Sequence, residues 1–333
     1  MNKKILFVFC IVVIVILGAL VVMNASQKPT VSSGKISVVT TLFPQYDFAK
    51  TIGGDKVDVA LLLPPGVEAH AYEPKPSDIA KINGADIFVY TGEFMEPWAH
   101  DIIDGADEKL KVVDASVGVA IAKEGEEHEH DHEHEHEHEH EEADHHEIEE
   151  GHHHHDGIDP HIWLDFDNAK IMAENIAKAL VEVDSQNAEF YQNNLKTYQD
   201  KLTALDNSYK NTLSVCESKT IVYGGHYAFG YMTKRYNLEY ASAQGFSPDS
   251  EPTAKDMIAL VEQIKKDNIS TIFYEELTSP KIAETLANET NAKLLLLNGA
   301  HNLAKEDYES GATFISIMEN NLKNLSEGLG CQK

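Results

Sequence analysis

The chain has 333 residues, which suits two lobes of about 100–150 residues, each with its own core. It carries 27 Lys and Arg against 55 Asp and Glu, a formal net charge of −28 at pH 7. This balance argues against a nucleic-acid partner, because the chain lacks the basic excess that replaces counterions around phosphates. It favours a cationic ligand.

The N-terminal segment predicts export from the cytoplasm. Lys3 and Lys4 precede an uncharged run from Ile5 to Met23, and a helix of that length approaches the thickness of a bilayer. We interpret residues 1–24 as a signal or anchor segment and residues 25–35 as a polar tether. We expect an uncleaved anchor that attaches an extracytoplasmic protein to the cell membrane. A cleaved signal, which would leave the protein periplasmic, is the alternative.

Residues 36–186 alternate short apolar, β-branched runs with helical stretches. The predicted strands are Ile36–Phe43, Val57–Leu63, Asp86–Gly92 and Lys111–Ala115. The predicted helices lie at 45–53, 76–83, 96–104 and 167–183. This alternation predicts an N-terminal α/β lobe with a parallel sheet and helical crossovers.

Residues 187–213 predict one continuous helix. The stretch has no Gly or Pro, and its apolar residues recur at steps of three and four. A helix of this length extends about 40 Å, longer than a crossover within one lobe requires. We interpret it as a linking helix between two lobes.

A second series of strands and helices occupies residues 214–333 and predicts a C-terminal α/β lobe. The predicted strands are Thr220–Gly225, Leu238–Gln244, Thr271–Leu277 and Ala292–Asn298. Helices are predicted at 228–236, 253–268, 280–290 and about 308–328. The fold class is therefore α/β: two lobes, each with a mainly parallel sheet flanked by helices, joined by one long rigid helix. Ligands of such sheets gather at the carboxyl ends of the strands, so we expect a binding cleft between the lobes.

Most of the 18 histidines lie in an acidic stretch at residues 124–156, which contains no Lys or Arg. They are His128, His130, His132, His134, His136, His138, His140, His145, His146, His152, His153, His154 and His155. With almost no apolar content, this stretch is expected to be a disordered loop when it holds no metal. We interpret it as a low-affinity collector that raises the metal concentration beside the cleft. A merely solvated acidic loop is the alternative.

Four of the remaining histidines are candidate metal ligands. His70, His226 and His301 each follow a predicted strand, and His161 lies just ahead of a predicted helix. A single histidine at such a place is usually an ordinary polar residue, so the interpretation depends on the combination. Neutral imidazole is a borderline-soft donor, and four such nitrogens complete the tetrahedron that zinc prefers. We interpret His100, on a predicted helix, as an ordinary polar residue.

Four motifs carry a family resemblance: Pro64–Pro74, Asp159–Asp165, Gly225–Tyr231 and Asn320–Leu325. With them, the chain from about residue 36 onward resembles the ZnuA/TroA-like solute-binding proteins of zinc and manganese ABC importers. The resemblance implies that His70 and His161 from the N-terminal lobe and His226 from the C-terminal lobe are the first three ligands. Family members commonly place Asp, Glu or a water at the fourth position, where this chain has His301. Glu276 or a water is the alternative fourth ligand.

The resemblance also implies a function. The protein would capture Zn²⁺, its transported ligand, in the interlobe cleft and deliver it to the permease of an ABC importer. The cytoplasmic ATPase of that importer would supply the energy, since this chain has no Walker motif. We expect a monomer. Manganese as cargo is one alternative, although His226 and His301 favour zinc. A metal-dependent surface adhesin on the same scaffold is another.

Catalysis is not expected. Outside residues 124–156 the chain has no His-Glu-x-x-His motif, and it has no Gly-x-Ser-x-Gly motif anywhere. A solute-binding protein is therefore expected rather than a hydrolase.

Two cysteines, Cys216 and Cys331, lie outside the N-terminal segment. An extracytoplasmic compartment tends to oxidise thiols, so we predict a disulfide between them. It would clamp the C-terminus to the start of the second lobe. Two unpaired cysteines are the alternative.

Overall fold

A computed structural model describes residues 34–122, 157–245 and 252–332. The predictions for the export segment at 1–24, for most of the tether and for the histidine-rich stretch at 124–156 lie outside these residues. In the part of the chain that is described, no helix is both long and apolar enough to cross a membrane.

Two parallel sheets, with four strands each among the described residues, form the framework. The N-terminal sheet has the order β2-β1-β3-β4 and contains β1 (Ile36–Thr40), β2 (Val57–Leu61), β3 (Ile87–Tyr90) and β4 (Lys111–Asp114). The C-terminal sheet repeats this order as β6-β5-β7-β8, with β5 (Thr220–Tyr223), β6 (Glu239–Ser242), β7 (Thr271–Tyr274) and β8 (Lys293–Leu296). Apolar residues dominate the central strands because helices cover both faces of each sheet.

Helices connect the strands and link the two sheets. They are α1 (Phe43–Gly53), α2 (Pro76–Asn83), α3 (Ala99–Asp104), α4 (Phe166–Val183), α5 (Ala188–Ser214), α6 (Gly230–Tyr236), α7 (Ala254–Lys266), α8 (Lys281–Thr290), α9 (Lys305–Ser310) and α10 (Phe314–Gly328). Sequence signals fix several of the ends. The side chain of Asp165, for example, accepts hydrogen bonds from the backbone N–H groups of Asp167 and Asn168 at the start of α4.

The C-terminal helix differs from the prediction of one helix over 308–328. The structure has two helices there, α9 and α10. Gly311 ends α9 with a left-handed φ of 78°, which glycine adopts without strain. Thr313 then begins α10 as its N-cap, since its hydroxyl accepts from the backbone N–H of Ser316 at 3.1 Å.

The long helix α5 joins the two lobes through a shared core. It has 27 residues and buries Tyr198, Leu202 and Tyr209 among other side chains. The ring centroid of Phe48 on α1 lies 5.5 Å from that of Tyr198 and 5.2 Å from that of Phe314 on α10. These side chains belong to one continuous apolar cluster that includes residues of both lobes. The predicted α/β fold with a linking helix is therefore confirmed.

The predicted disulfide is also confirmed: Cys216 and Cys331 are bonded. Cys216 follows α5 and Cys331 follows α10, so the bond holds the end of the linking helix against the C-terminal end of the chain.

Candidate metal centre

Three of the four candidate ligands lie beyond the carboxyl ends of strands, and the fourth precedes a helix, as predicted. His70 lies in the loop after β2, His226 in the loop after β5, and His301 in the loop after β8. His161 precedes a short 3-10 turn, Ile162–Leu164, that leads into α4. The loops that follow parallel strands share one edge of each sheet, and these two edges face each other across the cleft.

Three imidazoles converge on one point. The Nε2 atom of His161 lies 3.3 Å from Nε2 of His70 and 3.1 Å from Nε2 of His226. One nitrogen of each ring lies within 4.8 Å of the other two. Nitrogens that bind a tetrahedral zinc at about 2.0 Å lie about 3.3 Å apart, so the spacing fits a single ion. His161 and His226 are fully buried, and His70 is half-buried.

His301 is fully buried beside these three rings, and its nitrogens face carboxylates as well. Its ring centroid lies between 5.8 and 6.5 Å from those of the other three rings. One of its nitrogens lies within 4.8 Å of carboxylate oxygens of Glu68 and Glu275. The closest is Oε2 of Glu68, 3.5 Å from Nε2 of His301. The cleft thus contains an imidazole set and a mixed set of donors side by side.

Glu276, the alternative fourth ligand, belongs to neither donor set. Its Oε2 atom accepts a hydrogen bond from the backbone N–H of Gly299 at 3.2 Å, so it supports the loop that carries His301. Burial raises the pKa of Glu276 to about 7. The hydrogen bond to Gly299 fits a supporting role for Glu276.

Two carboxylates orient the converging imidazoles. Oδ1 of Asp159 lies 2.8 Å from Nδ1 of His161 and also accepts from its backbone N–H at 3.0 Å. Oε1 of Glu275 lies 2.8 Å from Nδ1 of His226, although the two atoms are poorly aligned for a hydrogen bond. A carboxylate at Nδ1 favours a proton on that nitrogen and leaves Nε2 free to bind a metal.

Electrostatics favour the neutral form of two of the converging imidazoles, those of His70 and His161. Burial lowers the pKa of His70 and of His161 well below the usual range, and the neighbouring imidazoles lower both further. His301 behaves differently. Burial alone would lower its pKa, but the nearby carboxylate of Glu68, together with the charges of Glu276 and Glu275, outweighs burial and raises the pKa to about 9.

Several buried polar atoms around this centre have no hydrogen-bond partner among the described residues. They are Oε2 of Glu68, Oδ2 of Asp159, Oε1 of Glu275 and of Glu276, Nδ1 of His226, and both ring nitrogens of His301. Each such atom costs about 1–3 kcal/mol when it is buried without a partner. A divalent cation at this place would satisfy some of them directly and offset the carboxylate charge, so the donor set fits a cation.

Sequence reasoning missed the supporting carboxylates Glu68, Asp159 and Glu275. A signal was available for each of them. Glu68 and Asp159 each lie two residues before a candidate ligand, and Glu275 directly follows β7. The structure places His100 on the surface, with its side chain 61% exposed, 3.6 Å from Asp104. The histidines of residues 128–155 lie outside the described residues.

The fold and this buried set of imidazoles define a two-lobed protein of the solute-binding class with a candidate cation site between its lobes. Comparison with known proteins agrees. The family model described as the periplasmic zinc-uptake complex component A, ZnuA, matches residues 38–328. The high-affinity zinc uptake system protein ZnuA of Bacillus subtilis is 39% identical over 309 residues, which is 92% of each chain.

Two streptococcal comparisons add to this. The zinc-binding lipoprotein AdcA of Streptococcus pneumoniae is 37% identical over 297 residues, or 89% of this chain, but this chain spans only 56% of the length of AdcA. The crystal structure of the Zn(II)-bound ZnuA-like domain of AdcA superposes with a TM-score of 0.71 and 34% identity, covering 89% of this chain and 99% of that domain. The chain therefore belongs to the ZnuA family of zinc-uptake components, and the predicted resemblance is confirmed.

Proposed function

We propose that this protein captures Zn²⁺ between its lobes and delivers it to an ABC importer. The observation that carries the proposal is the convergence of three Nε2 atoms, with 3.3 Å and 3.1 Å between His161 and its two neighbours. The nitrogen-rich donor set favours zinc over manganese, which prefers oxygen ligands. The names of two relatives, a zinc-binding lipoprotein and a zinc uptake system protein, support the same cargo.

The ligands in this proposal are His70, His161, His226 and His301. His301 is the fourth because it is the remaining buried imidazole and neither of its nitrogens has a hydrogen-bond partner among the described residues. Two ligands come from each side of the cleft, counting His70 and His161 with the N-terminal sheet. One ion therefore holds both lobes together.

Membership of the family supports the proposals on delivery and attachment. The loaded protein would dock on a membrane permease, and a cytoplasmic ATPase would drive transport. The first 24 residues would hold the protein, as a monomer, on the outer side of the cell membrane. A binding protein of this kind carries out no chemical step of its own.

Zinc affinity tests the ligand set. We expect His161→Gln to weaken zinc binding at least 100-fold, because it removes the central nitrogen of the three. His100→Gln is the matched control, since His100 is exposed on α3, and should change the affinity less than twofold. Competition with a chelator of known zinc affinity gives both values. Equal affinities for the two variants would refute the ligand assignment.

We further propose that the histidine-rich stretch at 124–156 collects zinc at low affinity. The flanking described residues lie together, since the backbone N–H of Asp159 donates to the carbonyl of Ala122 at 3.2 Å. A short Gly-Ser connection can therefore replace the stretch without straining the lobe. We expect the number of weakly bound zinc ions to fall while the affinity of the cleft stays unchanged.

In the full chain, the weak sites should be lost as the pH falls through about 6.5, because imidazole must be neutral to bind zinc. An unchanged stoichiometry after replacement would refute the collector.

A further inference from the structure

Tyr231 on α6 lies between the two lobes, and neither the family match nor the ligand set gives it a role. Its side chain is only 6% exposed. Its hydroxyl accepts a hydrogen bond from the backbone N–H of Ala122 at 2.9 Å and donates one to the backbone carbonyl of Asp159 at 3.1 Å. Asp159 in turn donates its own N–H to the carbonyl of Ala122 at 3.2 Å. One hydroxyl of the C-terminal lobe thus joins two separate segments of the N-terminal lobe.

The same Asp159 orients His161. Oδ1 of Asp159 accepts a hydrogen bond from the backbone N–H of His161 at 3.0 Å and lies 2.8 Å from Nδ1 of the same residue. Asp159 is buried, so its side chain has little freedom once its backbone is fixed. The position of the Asp159 backbone therefore sets the direction in which Nε2 of His161 points, and Tyr231 holds that backbone.

Gly230, the first residue of α6, allows this approach. A Cβ atom at Gly230 would lie 2.8 Å from Oδ2 of Asp159 and 2.7 Å from Cε1 of Tyr227. Both distances are shorter than a carbon atom tolerates, so a larger residue would force α6 or these two side chains to shift. Glycine here brings the C-terminal lobe close enough for the hydroxyl of Tyr231 to reach its two partners.

We infer that Tyr231 is a positioning residue for the metal centre. It acts through Asp159 on His161, and it does so only while the two lobes are in contact. When the lobes separate, the hydroxyl leaves Asp159, and His161 loses part of its orientation together with the ligands that the C-terminal lobe supplies. Lobe separation therefore weakens the N-terminal half of the site as well as dividing it. This inference rests on the proposed role of His161 as a ligand.

The test uses the full chain loaded with Co²⁺, whose visible absorption reports the geometry and number of its ligands. We expect Tyr231→Phe to change the intensity of the Co²⁺ bands and to speed metal release to a chelator about tenfold, as loss of support for a ligand typically does. Tyr236→Phe is the matched control. It removes the hydroxyl of a half-buried tyrosine on the same helix, which donates to Oδ1 of Asp206 at 2.9 Å rather than to Asp159. The control should lower thermal stability but keep the spectrum and a release rate within twofold.

A purely structural role for Tyr231 predicts that both Phe variants lose stability and keep the wild-type Co²⁺ spectrum, and this result would overturn the inference. Asp159→Ala provides a second measurement. If Tyr231 acts through Asp159, adding Tyr231→Phe to Asp159→Ala changes the release rate by less than twofold, whereas independent effects would multiply. Failure of the underlying function looks different, because His161→Gln would then leave the Co²⁺ spectrum of the cleft unchanged.

Discussion

At the scale of single residues, the loop that carries His301 decides which group completes the site. Gly299 lies two residues before His301, and a Cβ atom there would come within 2.9 Å of Nδ1 and 3.3 Å of Cε1 of the His301 ring. The carboxylate of Glu276 lies 3.9 Å from the same point, which is an ordinary contact distance. A methyl group at Gly299 would therefore displace the imidazole and leave the carboxylate in place.

We expect Gly299→Ala to weaken zinc binding about tenfold if His301 is the fourth ligand, a loss similar to that caused by removing support for a ligand. His301→Gln should weaken binding at least as much, and Glu276→Gln should have the smaller effect. Chelator competition gives the three affinities. If Glu276→Gln proves to be the most damaging of the three, the fourth ligand is the carboxylate.

The candidate ligands were easier to pick out in the sequence than the groups that lie behind them. His70, His226 and His301 could be found because each lies in the loop after an apolar run, and the fold brings strand ends together. The role of Glu275 depends on its oxygen reaching Nδ1 of His226, which comes from a different loop. The pattern of apolar residues along a chain does not indicate which side chains of two different loops lie close together. The role of Tyr231 is hidden for the same reason, since both of its hydrogen bonds cross between lobes.

At the scale of secondary structure elements, Asp47 connects three helices. It lies on α1, and its Oδ2 atom accepts from the backbone N–H of Phe314 at the start of α10 and from the hydroxyl of Tyr198 on α5. Burial raises the pKa of Asp47 to about 6, and these hydrogen bonds and the charge of Lys50 oppose the shift without cancelling it. The folded protein therefore holds this proton more tightly than the unfolded chain does.

The sign of the pH dependence follows from this raised pKa. The stabilisation that protonated Asp47 provides is complete below the unfolded pKa of 3.8 and is lost as the pH rises through about 6. We expect Asp47→Asn, which keeps an acceptor but does not titrate, to reduce the fall in unfolding free energy between pH 4 and 7 by about 2–3 kcal/mol. Urea unfolding at several pH values measures this. Asp58→Asn, at an exposed position on β2, is the control, and an identical slope in both variants would contradict the prediction.

The sequence predicted the ends of helices that are well separated from the next element. It missed the boundary between α9 and α10, which follow each other closely. The apolar pattern continues from α9 into α10, so it predicted one helix. The interruption comes from the left-handed backbone of Gly311 and the capping hydroxyl of Thr313. Glycine after a helix and threonine before one are typical end signals, so the sequence contained the information. The long helix α5 was predicted to within one residue at each end, because 27 residues without Gly or Pro leave little else for the chain to form.

At the scale of the whole molecule, the loop after β8 joins the two lobes through hydrogen bonds beside the candidate site. Asn302 is fully buried, and its amide Nδ2 donates to the backbone carbonyls of Pro64 and Val67 at 2.8 Å each. These residues belong to the N-terminal loop that carries His70. The backbone of Leu303 also accepts from the N–H of Gly66 at 2.7 Å. The loops that carry His70 and His301 are thus bonded to each other across the cleft.

From these hydrogen bonds between the loops we predict what limits the rate of zinc release. Because α5 is a rigid link and the two loops are bonded, His70 and His301 separate only when the bonds of Asn302 and the bond between Gly66 and Leu303 break. Removing that amide should lower the barrier to release more than it lowers the stability of either lobe. We expect Asn302→Ala to speed zinc dissociation about tenfold, the order of effect seen when support for a ligand is lost, as measured by stopped-flow mixing with a chelator.

Asn324→Ala is the matched control for this experiment. Its amide also donates to a backbone carbonyl at 2.8 Å, that of Leu296, but both residues lie in the C-terminal lobe. Removing it therefore costs a hydrogen bond without loosening the connection between the lobes, and zinc release should stay within twofold of the wild type. Equal acceleration by both variants would mean that release depends on the general stability of the C-terminal lobe. Acceleration by Asn302→Ala alone would assign release to the separation of the two loops.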